Sequence, residues 1–307
     1  MNQNQSIIDD ANINTKLANL NKKYEIDSAI NKVLLGKLLA KLNNNIVSSL
    51  QDAEFRVFSQ FGDDGIIQHL VNILGIKETV FIEFGVENYN EANTRFLLEN
   101  NNWRGLVIDA EPANIEYIKK TQNYWRHDLT ALCDFVTAEN INDIISDAGF
   151  SGDIGLLHID VDVDGNDYWI WKAINVVNPA IVIVEYNSLF GSKRSITIPY
   201  EPNFIRHVSH YSGLYAGASL NALCCLAKEK GYRFIGCNSA GNNAYFVIDK
   251  LTDALAELSC EEGYILAKFR EHRNEQGELT FTSGLDAIEE IRGMPVFNTI
   301  TEQPEDF

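Results

Sequence analysis

The chain has 307 residues, 45% of them hydrophobic, and a formal net charge of −18. That length and apolar content suit one large globular domain with an extension. No run reaches the ~20 apolar residues that a spanning helix needs, and so acidic a surface repels nucleic acid and anionic lipid. Met1–Ser6 lack the basic and apolar regions of a signal peptide. Cys133, Cys224, Cys225, Cys237 and Cys260 form no C-x-x-C pair, which fits buried thiols in a reducing cytoplasm.

Residues 1–24 are rich in Asn and Lys and poorly patterned, a loose helix or a mobile segment. From about 25 to 50, Ile26, Ile30, Val33, Leu34, Leu38, Leu42 and Ile46 recur at three- and four-residue steps. This spacing predicts an amphipathic helix. Its stripe needs cover, from the main domain or from a second copy of the chain. Residues 1–52 therefore read as an N-terminal helical extension and a route to a homo-oligomer.

Residues 53–307 read as the main domain. Strands are predicted at 80–84, 105–109, 134–138, 154–160, 180–186, 232–237 and 244–248. Helices are predicted at 63–75, 90–101, 113–121, 140–148, 167–174 and 216–230. The runs Gly155–Asp160 and Ala180–Glu185 are apolar enough to be buried on both faces, as in a parallel sheet. Alternating strands and helices give an α/β, doubly wound, Rossmann-like fold. No chemistry is read in the tail after Leu251.

Five constellations stand out. Phe58-Ser-Gln-Phe-Gly-Asp-Asp-Gly65 precedes the first strand, and Asp63 or Asp64 also suits a helix cap there. Val80-Phe-Ile-Glu-Phe-Gly-Val-Glu87 ends a strand in Glu83 and Gly85, and Gly105–Pro112 ends the next in Asp109 and Glu111. Ligands of open α/β sheets bind beyond such strand ends, and an acid about 20 residues past the first turn suits a ribose diol. A pyrophosphate wants G-x-G-x-x-G. Here Gly85 stands alone, and Glu83 and Glu87 would repel it, so a cofactor with a cationic amino-acid end fits better.

The third constellation is Val136-Thr-Ala-Glu-Asn-Ile141 at a strand end, where Asn140 also suits a helix cap. The fourth gathers Asp160, Asp162, Asp164 and Asp167 at one strand end, next to Glu185 and Asn187 at another. Clustered acids favour a divalent cation; alternatively, Asn166 or Asp167 caps the following helix. The fifth, Ile198–Leu220, is aromatic and holds Arg206, His207 and His210. A histidine near neutral pKa suits proton transfer, although either histidine also reads as a surface residue. His158, inside an apolar run, reads as a core histidine.

From Phe58 to Ile248 these motifs resemble class I S-adenosylmethionine (SAM) methyltransferases, in particular bacterial enzymes encoded with surface-polysaccharide genes. Asn88 replaces the third glycine of the usual loop. The resemblance implies a seven-stranded sheet whose last strand is antiparallel, with SAM across strands one to three. Ser59 and Gln60 would reach the methionine carboxylate. Glu83 or Glu87 would face the ammonium end and Asp109 or Glu111 the ribose, with Gly85, Thr94 and Ala110 also at the cofactor. Glu139, Asn140 and Ile141 would meet the adenine, and Asp160 would close the cofactor site.

Residues 188–215 would form the acceptor-binding insertion. The acids also resemble the magnesium ligands of catechol and macrolide-sugar O-methyltransferases, which implies Asp162, Asp164, Glu185 and Asn187 around a divalent metal. Asp162 and Asp164 are then catalytic; without metal, His207 or His210 is the base. The implied activity is methyl transfer to the hydroxyl of a nucleotide-activated or polysaccharide-precursor sugar. A NAD-dependent nucleotide-sugar oxidoreductase and a non-catalytic methyltransferase-like binding module are the alternatives.

Overall fold

The apolar runs pair into one sheet. In the computed structural model, which describes residues 2–43, 49–161 and 165–307, the strands are β1 (Val80–Phe84), β2 (Arg104–Asp109), β3 (Leu129–Cys133), β4 (Gly152–Ile159) and β5 (Val177–Glu185). After β6 (Ile196–Thr197) come β7 (Tyr232–Cys237) and β8 (Asn243–Ile248). The large sheet has the order β3-β2-β1-β4-β5-β8-β7. β1 to β5 are mutually parallel, and β8 runs antiparallel to both β5 and β7. This is the seven-stranded class I methyltransferase sheet that the motifs led us to expect.

Alternating side chains divide between two helical layers. Ile82, Leu157, Val182 and Phe246 join one core with α6 (Ile141–Asp147), α7 (Asp167–Ala173) and α9 (Leu220–Glu229). Phe81, Leu156, Ile183 and Tyr245 join the other with α2 (Asp63–Leu74), α3 (Arg95–Asn101) and α4 (Pro112–Lys120).

Several boundaries differ from the sequence reading. The third strand is Leu129–Cys133, paired with Gly105–Asp109, and not 134–138. Asn140 bends the later segment into a loop: its Nδ2 donates to Phe135 O and its Oδ1 accepts from Thr137 N, each at 2.8 Å. The helix expected from residue 90 starts at Arg95, because Glu83 takes the amide protons of Asn93 and Thr94. α9 starts at Leu220, where Ser219 caps it by accepting from Ala222 N.

The N-terminal segment is also different. α1 (Asn2–Asn43) is one continuous helix, longer than the 25–50 expected, and Ile46 lies outside the described residues. Val33, Gly36 and Ala40 face the body, over Phe55, Val57 and Phe96. A Cβ at Gly36 would stand 2.5 Å from Val57 and 2.9 Å from Phe96, so the close approach needs glycine. No described helix is long and apolar enough to cross a membrane.

The tail is structured. β9 (Pro295–Asn298) pairs with β6 and with β10 (Gln303–Asp306) in a three-stranded sheet. Phe190, Ile196, Phe204 and Tyr215 of the insertion bury against Ile291 and Val296 of the tail. The two segments are thus one packing unit beside the carboxyl ends of β4 and β5.

Candidate functional site

β1 lies between β2 and β4, so the connections leave in opposite directions there and open a crevice beyond the strand ends. Gly85 turns the chain at the end of β1 with φ +65° and donates its N–H to Ile108 O at 3.0 Å. Glu87 and Tyr89 also have positive φ, at 45° and 62°. The strain is held by Glu83, which is 2% exposed. Its carboxylate accepts from Asn93 N at 2.8 Å, Thr94 N at 3.1 Å, His158 Nδ1 at 3.0 Å and the Thr94 hydroxyl. Burial pushes its pKa up, but the hydrogen bonds from His158, Thr94 and Asn93 outweigh that and hold it below the usual carboxylate value.

Glu83 and Thr94 therefore build the loop from inside, where the sequence reading had both against the cofactor. Glu87 is exposed on that loop. At the end of β2, Asp109 Oδ1 accepts from Glu111 N at 2.9 Å and Asn114 Nδ2 at 3.0 Å. Glu111 caps α4, and Ala110 is exposed beside it. The two acids thus sit on a fixed turn at the end of β2, an acceptor set suited to the hydroxyls of a diol.

At the next corner Glu139 is exposed and accepts from the Tyr200 hydroxyl at 2.5 Å, while Tyr200 accepts from Ala138 N at 3.0 Å. Burial, then the hydrogen bond to Glu139, raises the Tyr200 phenol to about 12. Asn140 is committed to its own turn, and Ile141 is fully buried in the core, so neither presents its side chain to a ring as expected. Asp160 closes β4, half-buried.

The Ser-Gln-x-Gly run forms a knot. Asp64 Oδ2 accepts from Val57, Phe58 and Ser59 N–H and from the Ser59 hydroxyl, all at 2.7–2.8 Å. Asp63 accepts from Asn238 at 3.1 Å and Asn243 at 3.0 Å, and from the Tyr245 hydroxyl. Ser59 is therefore spent internally and not offered to a methionine carboxylate, and Gln60 is exposed.

Beyond β4 and β5 lies a cavity of about 110 Å³. Asp167, Glu185, Asn187 and Arg206 line it from the body and insertion, and Phe269 and Glu271 from the tail. Asp167 accepts from Val161 N at 2.9 Å. Arg206 donates to Gly213 O at 2.9 Å and lies 3.7 Å from Glu271. Glu185 is half-buried at the mouth of β5, and among the described residues no hydrogen bond or ion pair reaches its side chain.

One of the four residues read as metal ligands is already engaged in the loop. Asn187 Nδ2 donates to Leu214 O at 2.8 Å and Ala216 O at 2.9 Å, and its Oδ1 accepts from Leu189 N at 3.0 Å. Its carboxamide is a loop clamp, with both amide protons on carbonyls and one oxygen lone pair on Leu189 N. Asp162 and Asp164 lie outside the described residues, and among those described no group of three His, Cys, Asp or Glu is placed to hold a metal. The histidines stand apart as well. His207 is exposed, its ring against Gly213, and His210 hydrogen-bonds Ser212 at 2.7 Å and stacks on Tyr211. Neither lines the cavity; partial burial lowers the pKa of both.

Sequence reasoning missed three elements of the site. Tyr200 and Trp169 tie the insertion to the body: Trp169 donates to Ile198 O at 2.9 Å and packs on Tyr200 and Phe297. The tail supplies one cavity wall, through Ala267, Phe269, Glu271, Thr282 and Ala287.

No protein-family model matches this chain, and no curated protein matches its sequence. Solved structures similar to it include an S-adenosylmethionine-dependent methyltransferase from Clostridium acetobutylicum, at 10% identity over 61% of this chain and 90% of that one, TM-score 0.40. An O-methyltransferase from Bacillus cereus in complex with S-adenosylhomocysteine (SAH) is 15% identical over 72% and 90%, TM-score 0.39. The SAH-bound N-terminal domain of EvdMO1 is 10% identical over 68% and 92%, TM-score 0.39. Likenesses this remote carry no argument about activity. The strand order and the antiparallel β8 make this a class I methyltransferase fold on their own.

Proposed function

We propose that the chain is a SAM-dependent O-methyltransferase acting in the cytoplasm on a sugar hydroxyl, that of a nucleotide-activated sugar or a surface-polysaccharide precursor. The observation that carries this is the adjacency of two spaces at one end of the sheet. The topological switch point at β1, with Asp109 and Glu111 on the turn after β2, lies at the same sheet end as a partly open cavity of mixed apolar and polar lining beyond β4 and β5. A donor in the first and an acceptor in the second would meet over β4.

When bound, SAM supplies a methyl group activated by its sulfonium. Asp109 and Glu111 accept from the ribose hydroxyls, and the exposed Glu87 offers a negative field at the ammonium end. Glu185 receives the acceptor's proton on its carboxylate, the role first given to His207 or His210 in the absence of a metal. The insertion and tail exclude water and fix the acceptor, which is most of what methyl transfer requires. This route for the proton needs no metal. Glu185, Asp167 and Glu271 outnumber Arg206 in the cavity. The uncharged sugar therefore lies inside, and any phosphate remains at the mouth.

Calorimetric titration with SAH, with magnesium and after chelation, tests the reading. Micromolar binding that survives chelation, followed by SAH release with a sugar panel, supports it. An absence of SAH affinity under every condition sinks it and returns the chain to the NAD or binding-module alternatives.

A further inference from the structure

α1 has two apolar faces, and only one is covered. Ala29, Val33, Gly36 and Ala40 lie on the body. The opposite side carries Ile13, Leu17, Leu20, Tyr24, Leu34 and Leu38, all exposed, from Leu17 at 52% to Tyr24 at 75%. At 100° per residue these positions fall in one outward stripe, widened by Leu35 and Leu42. Their steps alternate four and three residues, the spacing of a coiled-coil seam, and Asp27 and Asn31 fill the two missing steps. From Ile13 to Asn21 the helix is exposed on every side. An isolated helix of that kind is marginal in water without a partner for its stripe.

We infer that the outer face of α1 pairs antiparallel with α1 of a second copy of this chain. The register follows from the two polar steps. Antiparallel seams set an a position opposite a d position, so Asp27 can face Asn31 of the partner copy, and each supplies what the other lacks. The same register sets Leu20 against Leu38 and Tyr24 against Leu34, on both sides of the two-fold axis. A parallel pair would instead set Asp27 against Asp27 across the seam. A lipid surface would receive Asp27 and Asn31 with no partner at all, in the centre of the stripe. The stripe from Ile13 to Leu42 is about 45 Å long at 1.5 Å per residue. Its half-exposed large side chains bring the buried surface near the ~800 Å² per partner of a specific interface. A two-fold pair is also the commonest symmetric assembly.

Light scattering on chromatographed full-length protein tests this. The wild type should have twice the 34.5 kDa chain mass. Leu20→Glu and Leu38→Lys should each halve the mass. The double variant should restore it, because the antiparallel register sets the new acid against the new base. Neither position touches the body, so the thermal midpoint of the main domain serves as a folding control and should not fall. A monomeric wild type up to ~100 μM, well above the range of a specific dimer, would overturn the proposal. So would a double variant that stays monomeric, which indicates another register. A dimer indifferent to both single changes, or a monomer captured by phosphatidylserine vesicles, would also overturn it and assign the stripe elsewhere.

Discussion

His158 Nδ1 lies 3.0 Å from Glu83 Oε1, and both side chains are almost completely buried between β1 and β4. Asn93 Nδ2, which can only donate, occupies the other ring nitrogen at 3.0 Å. The ring proton is therefore on Nδ1, pointed at the carboxylate. The pair connects the middle of the sheet to the 85–94 loop, so the shape of the crevice depends on a histidine that never reaches a ligand.

Removing either partner should loosen that loop. Glu83→Ala leaves four donors without an acceptor and should cost about 3–5 kcal/mol, while His158→Ala should cost about 2–4 kcal/mol. Urea denaturation gives the loss. SAH affinity should fall in both, whereas an unchanged affinity would show that the loop holds without them.

Two buried carboxylates should give opposite pH dependences. Burial pushes Asp64 up to about 6, against the downward pull of its hydrogen bonds from Ser59, Val57 and Phe58. A raised acid contributes stability that is complete below its ordinary 3.8 and lost as pH rises through about 6, here roughly 3 kcal/mol. Denaturation at pH 4 and pH 7 should show this decline in the wild type, and Asp64→Asn should flatten it. Glu83, held low, acts the other way: its contribution is present above its ordinary 4.5 and disappears as pH falls through the folded value.

Asn187→Ala should cost about 1–3 kcal/mol, because it strips the Leu214 and Ala216 carbonyls of their donor. The damage should be local to the cavity. SAH titration should look like wild type while acceptor affinity drops; equal losses of both would mean that Asn187 serves the whole sheet end.

Glu185→Gln keeps the shape of the cavity mouth and removes the proton acceptor. Turnover should fall roughly 100- to 10,000-fold, the usual contribution of a positioned base, with SAH affinity intact. A variant that retains full turnover would remove Glu185 from the chemistry.

The long apolar runs were legible because burial on both faces leaves little choice of residue: Val80–Phe84 and Ala180–Glu185 sit where periodicity put them. Acids at strand ends were legible by position: Asp109 closes β2, and Glu185 closes β5 and lines the cavity. The roles of Glu83, Ser59 and Asn187 were not. Each ends in the same residue types as a ligand-binding group, and only the folded chain shows that the donors or acceptors are already taken. The third strand was misplaced because Phe135 and Val136 are as apolar as Leu129 and Leu132, and Asn140 decides between them. The tail was opaque because its apolar residues bury against an insertion 100 residues earlier, a pairing that no local pattern encodes.

Asp63 at the start of α2 receives its partners from Asn238 and Tyr245, 175 and 182 positions away. So distant a closure costs chain entropy that must be met before any of its bonds form. The buried Asp63 carboxylate can be satisfied only after the antiparallel hairpin β7–β8 has docked on β5. Refolding should therefore be a late, cooperative event in which the two ends of the sheet lock together, and an intermediate lacking the hairpin would hold α2 loosely even with the parallel strands in place.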